Sequence, residues 1–156
     1  MKVSELGEFG LIDLLAKAIS SSQNQQFVLG HKLIAGIGDD AAAWQVDAST
    51  QLATCDSFIQ DVHFTLKITP WKELGWKALA VNLSDIAAMG GVPEYALISL
   101  ALPGSTEVED VTALYQGIID MAQQFDVAIV GGDTCRASLV SINITVLGST
   151  KSPDKH

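Results

Sequence analysis

The stretch that most constrains this chain is Ala78-Leu79-Ala80-Val81-Asn82-Leu83-Ser84-Asp85-Ile86-Ala87-Ala88-Met89-Gly90-Gly91. It reads as the second half of a long helix ended by a Gly-Gly stop. Its residues are almost all small or apolar, so it is expected to be buried. Yet Asn82 and Asp85 stand three apart, on one helical face. A carboxylate in such surroundings is costly unless it is paired or bound to a cation. Three further acidic clusters fall at loop-like places: Gly38-Asp39-Asp40, Cys55-Asp56-Ser57 and Gly131-Gly132-Asp133-Thr134. The expectation is that they gather around the Asp85 face and hold divalent metal.

A chain of 156 residues, 48% hydrophobic, is one domain with a real core. No apolar run approaches the ~20 residues of a membrane helix. Lys2, Glu5 and Glu8 stand where a signal peptide would be apolar. The expected compartment is therefore the cytoplasm, with no membrane partner. Cys55 and Cys135 are expected to be free thiols there. The net charge of −9, from 9 basic and 18 acidic residues, argues against a nucleic-acid surface. It suits a protein that reaches phosphates through cations.

Leu11, Leu14, Leu15, Ala18 and Ile19 mark a helix over 4–20. Ala43–Val46 and Gln51–Cys55 read as a hairpin about the turn 47–50, delivering Asp56 at a strand end. Pro70, with Thr69 as N-cap, starts the long helix. Tyr95–Leu102 is a nearly all-apolar, central strand. Thr106 and Glu109 have capping-box spacing ahead of an amphipathic helix. Val127–Val130 is a short strand emerging into the Gly-Gly-Asp-Thr turn. Leu139–Leu147 alternates, and Gly148 starts a polar tail. The fold class is α+β: a mixed or antiparallel sheet of about four strands with helices on one face. The other face would be apolar and uncovered, which makes a homodimer plausible.

Each acidic motif alone reads equally as a solvated turn. Asp85 discriminates, and four acidic sites in a chain only 17% charged point to a multi-carboxylate Mg2+ site. His63 reads as a half-buried histidine, a substrate contact or a general base. Asn82 reads as a holder of water, carbonyl or phosphate, or as a local cap. Thr134 reads as a phosphate donor or a turn closer. Arg136 reads as a neutraliser of phosphate charge or a surface ion pair. No Walker-type loop, nucleophile elbow or zinc-protease motif is present.

Taken together, Gly7-Glu8-Phe9 with Leu11-Ile12, Gly36-Ile37-Gly38-Asp39-Asp40-Ala41-Ala42, Asp56 through Val62-His63-Phe64, Leu74-Gly75-Trp76-Lys77-Ala78 through Gly91, and Gly131-Gly132-Asp133-Thr134 resemble the N-terminal domain of thiamine-monophosphate kinase. The superfamily includes aminoimidazole ribonucleotide synthetase, selenophosphate synthetase and the hydrogenase maturation dehydratase. The resemblance covers roughly residues 5–150. It implies transfer of the terminal phosphoryl of ATP to thiamine monophosphate, without a protein nucleophile or other catalytic side chain. It implies Mg2+ held by Asp39, Asp40, Asp56, Asp85 and Asp133. ATP would lie beside Asn82, Asp133, Thr134 and Arg136, and thiamine monophosphate would meet His63 and Phe64. It also implies a two-fold dimer whose sheets form a shared barrel.

Residues 1–150 are then the metal- and nucleotide-binding, dimerising domain, and 151–156 a tail where a second α/β domain would begin. Departures from the family pattern are Gln60-Asp61 for a usual Glu-Gly, Cys55 for Thr or Ser, Ser57 for Met or Thr, and Cys135-Arg136-Ala137-Ser138 for Thr-Arg-Gly-Pro. Two alternatives remain beside the kinase half: a non-catalytic dimeric domain binding metal, nucleotide or a partner, and a superfamily enzyme with another substrate.

Overall fold

The structure is a computed structural model that describes residues 1–22, 33–39, 41–46 and 49–151. Its elements, in chain order, are α1 (Val3–Leu6), α2 (Glu8–Ser22), β1 (Leu33–Ala35), β2 (Ala43–Trp44), β3 (Thr50–Ile59), α3 (Trp71–Ala88), β4 (Val92–Leu102), α4 (Val108–Gln124), β5 (Ala128–Arg136) and β6 (Ser141–Thr150). The main sheet runs β3-β6-β4-β5, and β1-β2 form a separate two-stranded ribbon. Only the β4/β5 pair is parallel, so the sheet is mixed. Its one crossover carries α4, as a parallel connection requires.

The central place of β4 follows from its sequence. Tyr95, Ala96, Ile98, Leu100 and Leu102 are all buried. Ala96, Ile98, Leu100 and Leu102 join Ile142, Ile144 and Val146 of β6 in the main core beneath the helices. Helix α3 contributes Leu74, Ala78, Leu79, Leu83 and Ile86, and α4 contributes Val111, Leu114, Tyr115, Ile118, Ile119 and Ala122. The two helices meet backbone to backbone. A Cβ on Gly75 would lie 1.9 Å from the Leu114 carbonyl oxygen, and one on Gly117 would lie 1.9 Å from that of Lys72. Any side chain at either position forces the helices apart.

Several expectations from sequence are corrected. Ala43-Trp44 pairs with Leu33–Ala35, not with 51–55. Strand β3 instead pairs with β6, Cys55 opposite Thr145, so Asp56 lies inside a ten-residue strand rather than at a strand end. Gly131–Thr134 is part of β5, not a turn. Gly132 permits this, because a Cβ there would lie 1.9 Å from the Ile98 carbonyl oxygen. Gly148 continues β6 rather than starting a tail. Pro70 and Glu107 are the N-caps of α3 and α4, neither with a side-chain cap bond, in place of Thr69 and the Thr106–Glu109 box. The N-terminal helix is broken at Gly7, whose φ is 82°.

The second sheet face is neither uniformly apolar nor wholly uncovered. Trp44 stacks on Tyr95 with ring centroids 4.5 Å apart, and Leu33 and Ala42 pack beside them. Beyond this patch the register aligns Ser57, Asn143, Ser99 and Asp133 across all four strands. No helix of the described residues is long and apolar enough to cross a membrane.

The glycine contact sets one testable expectation. Gly75→Ala or Gly117→Ala is expected to cost more than about 3 kcal/mol, beyond ordinary overpacking, because the clash is with backbone. Urea unfolding followed by circular dichroism measures it.

Candidate metal and phosphate site

Helix α3 and strand β3 bring two of the predicted carboxylates together. Asp85 lies on the exposed side of α3, not in the core as its apolar neighbours imply; Leu83 and Ile86 take the buried positions. Thr54 donates from Oγ1 to Asp85 Oδ2 at 3.3 Å. Asp56, two residues along β3 and half-buried, lies beside Asp85. Burial first, and then the hydrogen bond and negative charge of Asp85, push the Asp56 carboxyl above its ordinary value. Two acceptor-rich groups held this close without a cation must retain a proton or repel.

Asp39 and Asp133 lie elsewhere. Both line a cavity of about 760 Å³ between α2, the 36–44 segment and the β5 side of the sheet. Asp39 follows Gly38, whose φ is 111°, and donates its N–H to the Gly36 carbonyl at 3.3 Å. Asp133 is exposed on β5, opposite Ser99. Three strand spacings, about 14 Å, separate β5 from β3. Asp56 and Asp85 thus stand together at the β3 edge, while Asp39 and Asp133 line a cavity on the β5 side. Asp40 lies outside the described residues. Among the described residues no group of three or more His, Cys, Asp or Glu is gathered to hold a metal.

Asn82 is fully buried. Its Nδ2 donates to the Ala78 carbonyl at 3.1 Å, and its Oδ1 has no partner among the described residues. It lies on the buried side of α3. Thr134 is buried and Arg136 exposed at the end of β5; both line a smaller cavity beneath α1, together with Ser4 and Glu8. Phe64 is half-buried and packs against the main core. His63 is exposed, stacks on Phe58 at 6.0 Å and accepts the Ile59 N–H on Nδ1 at 2.9 Å. Asp61 is also exposed, with φ 65°, a left-handed conformation that Asp tolerates better than most residues. Cys55 and Cys135 are free, exposed and on opposite edge strands.

Some residues at these places were not singled out by sequence. Thr54 could have been found by its period-two spacing from Asp56 on one strand face. Ser99 and Asn143 carried only the signal of polar residues inside apolar strands. Tyr115, whose phenol burial pushes up and keeps protonated, lines the larger cavity but looked like a core aromatic.

Residues 38–150, most of the chain, match the family model described as AIR synthase related protein, N-terminal domain. The chain belongs to this family. Within it the chain is 42% identical to the thiamine-monophosphate kinase of Bacillus subtilis (strain 168) over 115 residues, covering 72% of this chain and 35% of that one. The crystal structure of thiamine-monophosphate kinase from Stenotrophomonas maltophilia K279a superposes with a TM-score of 0.76 at 34% identity, covering 90% of this chain and 43% of that chain. AaThiL complexed with AMPPCP and TMP superposes with a TM-score of 0.65 at 36% identity, covering 97% and 44%. The chain spans less than half the length of the curated relatives it matches.

The acid pair carries a pH signature. Asp56 binds more proton folded than unfolded between the ordinary carboxylate value and its raised one, so stability falls as pH rises through that window and stays lower above it. Asp56→Asn is expected to raise the Tm by a few degrees at pH ~8 in metal-free buffer. The difference should vanish near pH ~3, below the ordinary carboxylate value, where the Asp56 carboxyl is protonated in both the folded and the unfolded chain. Differential scanning fluorimetry across pH measures it.

Proposed function

We propose that this chain is the N-terminal half of a thiamine-monophosphate kinase, working with ATP and Mg2+ in the cytoplasm. The observation that carries the reading is the 31–42% identity to kinases of that name along most of the chain, with the acid pair in place. The ligands of AaThiL, AMPPCP and TMP, are the set such a reaction needs. Free thiols at Cys55 and Cys135 suit a reducing compartment.

In the proposed reaction an oxygen of the thiamine monophosphate phosphate attacks the terminal phosphorus of ATP. The bond from that phosphorus to the bridging oxygen breaks, and ADP leaves. No protein nucleophile is needed; positioning and charge neutralisation suffice. Asp56 and Asp85 fit a divalent cation, being two hard oxygen donors close enough to share a proton. Asp39, Asp40 and Asp133 are proposed as the second set of carboxylates. When bound, Mg2+ would neutralise phosphate charge. His63 would meet thiamine monophosphate through its outward ring edge and Phe64 would support that turn. Thr134 and Arg136 would face phosphate. Asn82 would act from inside α3, fixing the helix that carries Asp85.

The sets at opposite sheet edges support a site completed by further protein. We propose a second copy over the open sheet face, where Leu97 and Leu147 flank the buried Tyr95.

The test is product formation by the full-length protein given ATP, Mg2+ and thiamine monophosphate. Thiamine diphosphate is expected, and Asp85→Asn is expected to lower kcat/KM by about a hundredfold or more. No thiamine diphosphate, or transfer to a different acceptor from a substrate panel, would overturn the reading.

A further inference from the structure

The turn after β3 is held by more bonds than its length requires. Gln60 donates its backbone N–H to the Val140 carbonyl at 2.9 Å, and its side-chain Oε1 accepts the Val140 N–H at 2.9 Å. One residue thereby satisfies both main-chain groups of Val140. The Asp61 N–H donates to the Phe64 carbonyl at 2.7 Å, closing the turn. The N–H groups of Val62 and His63 both donate to the Ile59 carbonyl, at 3.1 and 2.9 Å.

Strand β3 is an edge strand, so the outward N–H of Ile59 has no neighbouring strand to receive it. His63 Nδ1 receives it instead. An accepting Nδ1 carries no proton, so the proton of the neutral ring sits on Nε2. Stacking at 15° on Phe58 fixes the ring plane. His63 is exposed, so Nε2–H is a single donor of set direction presented to solvent.

We propose that Gln60 is a positioning residue: its latch on Val140 holds His63 in one orientation and one tautomer, presenting Nε2–H to an anionic oxygen of the ligand. The ligand clause rests on the kinase reading, with the phosphate of thiamine monophosphate as the anion; the latch itself does not. The side-chain bond needs an acceptor at the end of a three-atom reach. Glu supplies one, and Met, of similar length, does not.

The experiment is NMR of the 15N-histidine-labelled protein near pH 8, with Gln60→Met and Gln60→Glu beside the native chain. The chain has three histidines, and His63→Asn assigns the signal. The native protein is expected to give distinct protonated-Nε2 and bare-Nδ1 resonances for His63. Gln60→Met is expected to average them toward mixed tautomers, and Gln60→Glu to restore them. In parallel, Gln60→Met is expected to raise the KM for thiamine monophosphate about tenfold while kcat stays within about twofold. A native His63 already averaged, or resonances unmoved in Gln60→Met, would overturn the latch. Lost tautomer order with unchanged KM would overturn its ligand role. Absence of turnover in the full-length native protein counts against the kinase reading, and the NMR result then decides the latch alone.

Discussion

The rest of the molecule depends on how closely α3 and α4 approach. Gly75 and Gly117 let each backbone rest on the other's carbonyl, and that contact fixes the rotation of α3 about its axis. Leu74, Ala78, Leu79, Leu83 and Ile86 then turn inward, with Asn82 among them. Asp85 is left at the rim, where β3 presents Thr54 and Asp56. A side chain at either glycine would displace the helix that carries the carboxylate, so the packing and the chemistry share one constraint. Asn82 belongs to the same constraint: its buried Oδ1 has no partner among the described residues, at a cost of about 1–3 kcal/mol.

Charge is the second organising feature. The acid pair at the β3 edge is unstable by itself, and Asp39 and Asp133 line a cavity on the β5 side. On the sheet face opposite Asp56 runs the polar row Ser57, Asn143, Ser99 and Asp133, with Ser57 Oγ bonded to Asn143 Oδ1. An acidic chain with few basic residues is suited to bind cations first and phosphates through them.

Much of this was legible in the sequence where local pattern and tertiary role coincide. The run 95–102, apolar but for Ser99, reads as a central strand, and the 71–88 helix carried its own stop. The failures have a common physical cause: they lie where a distant partner overrides a local preference. Trp44 and Cys55 stand close enough to read as a hairpin, but β3 finds its partner some ninety residues away, with Cys55 opposite Thr145. Gly131-Gly132 reads as a turn because glycine favours turns, and here it serves close strand approach instead. Ala87 and Ala88 look like core residues beside Asp85, yet both are exposed, so small size alone misled. The two sheet edges are separated by tertiary geometry, and no spacing along the chain records it.

Asp56 and Asp85 are proposed as a cation site that reaches nucleotide. Calorimetric titration of Mg2+ into this chain, with and without ATP, tests it most directly against Asp85→Asn. Saturable Mg2+ binding, tighter in the presence of ATP, is expected, and the Asp85→Asn chain is expected to lose it. Equal heats from the two chains would contradict it.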